Sequence, residues 1–110
     1  MITAIPLSSR QVSEIFSEFE GKDHGSETSF ILINGCDVKG PALHQHPYSE
    51  TFVVLEGTAR FQVGVEVRIV SKGSAVVVPP NTPHRFESVG PDNLVQIDIH
   101  ASDRFVTERL

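Results

Sequence analysis

The chain has 110 residues, nine basic against fourteen acidic, and a formal net charge of −5. That length accommodates one small domain, and the lack of any basic cluster argues against nucleic acid as a partner. The longest apolar runs, Phe30–Ile33, Phe52–Leu55 and Ala75–Val78, fall far short of the roughly 20 residues a membrane-spanning helix needs. The single cysteine, Cys36, can make neither an internal disulfide nor a multi-cysteine zinc site. The chain opens at Met1 without a basic segment followed by an apolar stretch, so no secretory signal is visible and a cytoplasmic location is expected.

At the N-terminus, Ser8 followed by Gln11 resembles a capping box. Val12, Ile15, Phe16 and Phe19 recur at helical spacing, and Gly21 suits a helix stop. These features predict a short N-terminal helix which, with the loop to residue 27, packs on the outside of a domain spanning 28–110. Glu14 and Glu18 make its polar face acidic, which argues against a membrane surface. From Thr28 onward the apolar period is strand-like. Strands are predicted at Thr28–Asn34, Ala42–His46, Thr51–Glu56, Thr58–Val63, Val65–Val70, Ala75–Val78, His84–Ser88 and Leu94–His100. Each is bounded by Gly, Pro, Asn or Asp, and Gly64 is placed for a tight hairpin turn. Short strands with no helical pattern between them predict an all-β sandwich or barrel.

The histidines carry the chemistry. His44 and His46 are two apart, so on a strand both rings face the same side. Glu50 follows, able to bring an oxygen to the same point. His84 arrives after the stiff segment Pro79-Pro80-Asn81-Thr82-Pro83. Three imidazole nitrogens with one carboxylate oxygen suit Fe, Mn, Ni, Co or Zn as a divalent ion, and not Ca or Mg. An H-x-H pair alone is weak evidence. The full spacing, His44-x-His46-x3-Glu50-x6-Gly57 followed by Gly73-x5-Pro79-x-Asn81-x2-His84, resembles the two motifs of the cupin superfamily over roughly Phe30 to His100. Two positions depart from the family pattern: Asn81 stands where glycine is usual, and Ser88 where asparagine is usual. Asn tolerates left-handed turns.

The resemblance implies a double-stranded β-helix, or jelly roll, with His44, His46, Glu50 and His84 as ligands of one divalent transition metal. It also implies a small-molecule cavity inside the barrel. Phe52 and Phe86 share the ligand face by period-two alternation and are expected at its wall; Tyr48, between the ligands, is a further candidate. Along the last strand, Val95, Ile97 and Ile99 alternate with Gln96, Asp98 and His100. The polar set is expected to face solvent or a subunit interface, the alternative being a position opposite the metal. Two functions remain open: a metalloenzyme acting on a small chelating organic anion, dioxygenase- or isomerase-like, or a non-catalytic module that binds such a ligand. A homodimer is expected, with the final segment 103–110 available to cover a neighbour's sheet.

Overall fold

The computed structural model describes residues 1–110. Ten strands run in chain order: β1 Phe16–Phe19, β2 Ser29–Gly35, β3 His44–Gln45, β4 Glu50–Glu56, β5 Thr58–Val63, β6 Glu66–Ser71, β7 Ser74–Val78, β8 His84–Ser88, β9 Leu94–His100 and β10 Glu108–Arg109. They form two five-stranded sheets, ordered β1-β2-β9-β4-β7 and β10-β3-β8-β5-β6, with antiparallel pairing throughout. This is the jelly roll that the motif spacing implied, with its core between the sheets. No helix is long and apolar enough to cross a membrane.

Alternation places one face of each strand inside. On β4, Glu50, Phe52 and Val54 are buried while Thr51 and Val53 are half-buried on the other face. Phe52 from the first sheet meets Phe61 and Phe86 from the second, with ring centroids 5.1 and 5.8 Å away. Such pairs add about 0.5–1.5 kcal/mol each beyond area burial, and this trio clamps the sheets together. Gly57, the last residue of the first motif, has φ +79 and lies so close to the Asn93 carbonyl that a side chain would collide with it. Gly64 turns the β5–β6 hairpin in the same left-handed region, at φ +61.

Three sequence expectations are corrected. The N-terminal helix is absent: Leu7–Arg10 forms a single 3-10 turn without a side-chain cap, and Phe16–Phe19 is a strand paired with Phe30–Ile33. Ser, Val, Ile and Phe dominate this stretch and are poor helix formers, while β2 offers an unpaired edge that rewards extension. On β9 the faces are reversed. Gln96, Asp98 and His100 are buried, and Val95, Ile97 and Ile99 lie half-buried on the outer face. Alternation defines two faces but not which is inner; here the inner one borders the polar site. Finally, the C-terminal segment returns to its own barrel. Lys22 N–H donates to the Asp103 carbonyl, Phe105 N–H donates to Glu20 Oε2, and β10 pairs with β3.

Candidate metal centre

His44 lies on β3 directly opposite His84, the first residue of β8. His46 follows just past β3, where Pro47 ends the pairing. Glu50 opens β4 and stands opposite His100 on β9. The segment before His84 is set by Asn81, whose φ of 57 is left-handed and whose N–H donates to the His46 carbonyl at 2.7 Å. Asn81 therefore meets the backbone demand that glycine meets elsewhere in the family pattern. Ser88 is tied to Val38 by a hydrogen bond at 2.8 Å from the Val38 N–H to its hydroxyl. The site is thus held from both sheets, and all four candidate ligands are buried.

One potential ligand atom from each of His44, His46, Glu50 and His84 lies within 4.8 Å of the others. Glu50 Oε1 is 2.9 Å from His84 Nε2 and 3.0 Å from His46 Nε2. The other ring nitrogen of each histidine is engaged by a backbone carbonyl: His44 Nδ1–H donates to Ala42, His46 to Val106 and His84 to Thr82, at 2.8, 2.8 and 2.9 Å. This network assigns the tautomer. Each neutral ring therefore presents a bare Nε2 lone pair to a carboxylate oxygen, acceptor against acceptor. Only a positive charge between them, an added proton or a metal ion, makes the arrangement favourable. Burial alone would raise the Glu50 pKa, but hydrogen bonds from His100, and from His46 and His84 when their Nε2 atoms carry a proton, outweigh it and hold the carboxyl far below the usual range. Burial pulls His46 down, while Glu50 and the Val106 carbonyl more than compensate and raise it. Burial dominates at His44 and lowers it. The donor set could hold a divalent transition ion, and the carbonyl partners are the kind that orient metal-binding imidazoles.

His100 differs. Val106 N–H donates to the Tyr48 hydroxyl at 3.1 Å, and that hydroxyl lies 2.7 Å from His100 Nδ1. Tyr48 then donates to Nδ1, which leaves the proton of His100 on Nε2, 3.2 Å from Glu50 Oε2. His100 is thus the opposite tautomer from the three candidate ligands: it presents a donor to Glu50 and no lone pair to the centre. It faces Oε2, while Oε1 faces the other rings. One residue, Val106, supports both groups, through its carbonyl to His46 and its N–H to Tyr48. The His46 and His100 Nε2 atoms nevertheless lack a well-formed hydrogen bond, a cost of about 1–3 kcal/mol for each buried polar group left so. The sequence pattern predicts His100 on a face turned to solvent or a subunit interface, with the cavity as the alternative; the cavity-facing position is the one observed.

A cavity of about 750 Å³ opens from this cluster, within the range of small-ligand sites. Phe52 and Phe86 are on its wall, with Phe16, Ile31, Leu43 and Phe105 contributing further apolar surface. Tyr48 stands behind the wall, stacked on His46 with centroids 5.1 Å apart. Asp98 and His100 line the cavity from β9. Phe105, from the C-terminal strap, packs edge-on against His100 at 4.9 Å.

A family model described as the cupin domain matches residues 35–100. A mannose-1-phosphate guanylyltransferase of Salmonella typhimurium is 37% identical over 59 residues, covering 54% of this chain and 12% of that protein. Mannose-1-phosphate guanylyltransferase 2 of Escherichia coli O157:H7 is 27% identical over 94 residues, covering 83% of this chain and 20% of that protein. The chain thus spans a fifth or less of these relatives. Oxalate decarboxylase from Bacillus subtilis superposes with a TM-score of 0.79 at 21% identity, covering 94% of this chain and 30% of that one.

The two tautomers predict different mutant behaviour. His84→Ala should lose most bound metal, measured by elemental analysis, with the far-ultraviolet dichroism of the β-fold kept. His100→Leu should retain metal with affinity lowered about 10–100-fold, the usual cost of removing a partner that orients a ligand. Equal loss in both variants would contradict the assignment. With the matched family model covering more than half the chain, the jelly-roll topology and both histidine motifs in place, the chain belongs to the cupin family.

Proposed function

We propose that this cupin holds one divalent transition metal (Fe, Mn, Ni, Co or Zn) through His44, His46, Glu50 and His84, and acts as a metalloenzyme on a small organic anion that chelates the ion. The observation that carries this reading is the convergence of four buried acceptor atoms within 4.8 Å, with each imidazole turned by a carbonyl to free its Nε2. When bound, such an ion polarises an attached oxygen as a Lewis acid. The chain's own residues do the rest. His100 and Tyr48 keep Glu50 Oε1 directed to the centre, the three carbonyls fix the rings, and the apolar wall excludes water from a bound ligand. Support from similar proteins is coarse: the structurally similar oxalate decarboxylase has Mn(II) centres and is named for a small chelating dianion.

The test is a panel of metal-loaded samples assayed with oxalate, catechols, flavonoids, β-diketones and keto sugars, following O₂ uptake, decarboxylation and isomerisation. Turnover that disappears in His84→Ala is expected. Tight binding without turnover would overturn the catalytic half of the proposal and favour a binding module. Neither binding nor turnover across the panel would overturn the whole.

The outer face of the first sheet supports a homodimer. Leu32, Val53, Ile97 and Ile99 are half-buried and adjacent there, and Val77, paired with Thr51, is 64% exposed. These positions carry no charge, so a second copy can cover them under a two-fold axis. Light scattering should return twice the 12.1 kDa chain mass, and Ile97→Lys should return one chain. A monomeric wild-type protein would contradict the dimer.

A further inference from the structure

Asp98 is the one carboxyl besides Glu50 buried within the cavity. It is 4% exposed and sits on the inner face of β9, opposite Phe52 of β4 and Ile31 of β2. Gln96, two residues earlier and wholly buried, donates from Nε2 to Asp98 Oδ1 at 2.8 Å. Gln96 thus fixes the carboxyl from behind, on the side away from the cavity, since Asp98 lines the cavity and Gln96 does not. No protein hydrogen bond holds Oδ2. Two residues further along β9 is His100, about 7 Å away by strand geometry, and His100 is the residue opposite Glu50. The cavity therefore has a second polar point, one strand repeat along β9 from the residue that faces Glu50, on a wall that also carries aromatic and aliphatic side chains.

We propose that Asp98 is the second anchor of the cavity: its free carboxyl oxygen donates a hydrogen bond to an acceptor oxygen on a ligand whose opposite end chelates the metal. This rests on the metal reading above and narrows the ligand. A bare chelating anion such as oxalate would leave Asp98 unmet. A ring bearing a chelating oxygen pair at one end and a keto or other acceptor oxygen at the other fits both points and the apolar wall. A donor role requires the carboxyl to keep its proton, and its surroundings favour that. Burial is the main cause, raising its pKa well above the ordinary value and persisting when an ion occupies the site; Glu50 adds to it only while its charge is uncompensated, and the Gln96 bond opposes both in part. The other charged or titratable groups on the wall near it are His100 on its own strand, the half-buried Glu18 of β1 and the exposed Arg109 of β10.

The experiment uses zinc-loaded protein and two probes of similar shape, 3,4-dihydroxyacetophenone and 4-ethylcatechol. Both chelate through the catechol, and one carries a keto oxygen where the other has a methylene. Affinities are measured by calorimetry for wild type, Asp98→Asn and Asp98→Leu, with zinc content and dichroism recorded for each. The intrinsic difference in catechol acidity cancels when the affinity ratio is compared between proteins. Asp98→Asn, which keeps an N–H donor at the same place, should preserve the wild-type preference for the ketone. Asp98→Leu should lower it about tenfold, the worth of one such hydrogen bond. Independently of ligand, the infrared spectrum of the wild-type protein at neutral pH should contain a protonated-carboxyl stretch that is missing in Asp98→Asn. An unchanged ratio in zinc-replete Asp98→Leu, binding of neither catechol by zinc-replete wild type, or the absence of that stretch would overturn the anchor. A wild-type protein that takes up no zinc would instead overturn the metal reading. Should Asp98→Leu fail to fold, the infrared comparison with Asp98→Asn still decides.

Discussion

Three imidazole lone pairs aimed at a carboxylate repel one another unless positive charge lies between them. The structure is organised around creating that situation. Each of His44, His46 and His84 gives its Nδ1 proton to a carbonyl, which leaves only bare nitrogens at the centre. In water such groups would rotate away. Here the residues are 2–8% exposed and their rings are held by backbone carbonyls, so the geometry favours a cation at the centre. An added proton satisfies one pair, whereas a divalent ion would satisfy all four donors at once.

Supporting that constraint requires distant parts of the chain. Glu50 and His100 come from the first sheet, His44 and His84 from the second, and the Phe52, Phe61 and Phe86 rings keep the sheets in register beneath them. The C-terminal strap completes the arrangement, because Val106 offers one carbonyl to His46 and one N–H to Tyr48. The strap is in turn fastened by Glu20 to the segment after β1. Both ends of the chain thus act on a centre that neither end touches as a ligand. The same β9 strand that positions His100 also carries Asp98, so the orientation of Glu50 and the shape of the ligand cavity depend on one register.

Much of this was legible in the sequence. Period-two alternation bounded by Gly and Pro located the strands from β2 to β9 to within two residues at their ends. The spacing of His44, His46, Glu50 and His84 marked the groups that converge. Other features depend on pairing that local pattern does not encode. Four apolar residues at helical spacing near Phe16 fit a helix as well as an edge strand, and the open edge of β2 decides between them. Alternation on β9 separates Asp98 and His100 from Ile97 and Ile99, yet only the position of the metal cluster shows that the polar set lies inside. Two-residue strands such as β10 leave no periodic signature at all. The opposite tautomer of His100 follows from Tyr48 and Val106, which are far from it in sequence.

The central claim is that three imidazoles and one carboxylate, with His100 held back as a donor, make up the protein's share of the metal shell. X-ray absorption at the edge of the bound metal counts imidazole rings directly through their multiple-scattering signature. The account predicts three rings and additional oxygen scatterers, with nitrogen at about 2.0–2.1 Å if the metal is zinc. Four imidazoles would place His100 in the shell and contradict the tautomer assignment; a shell of oxygen alone would contradict the site.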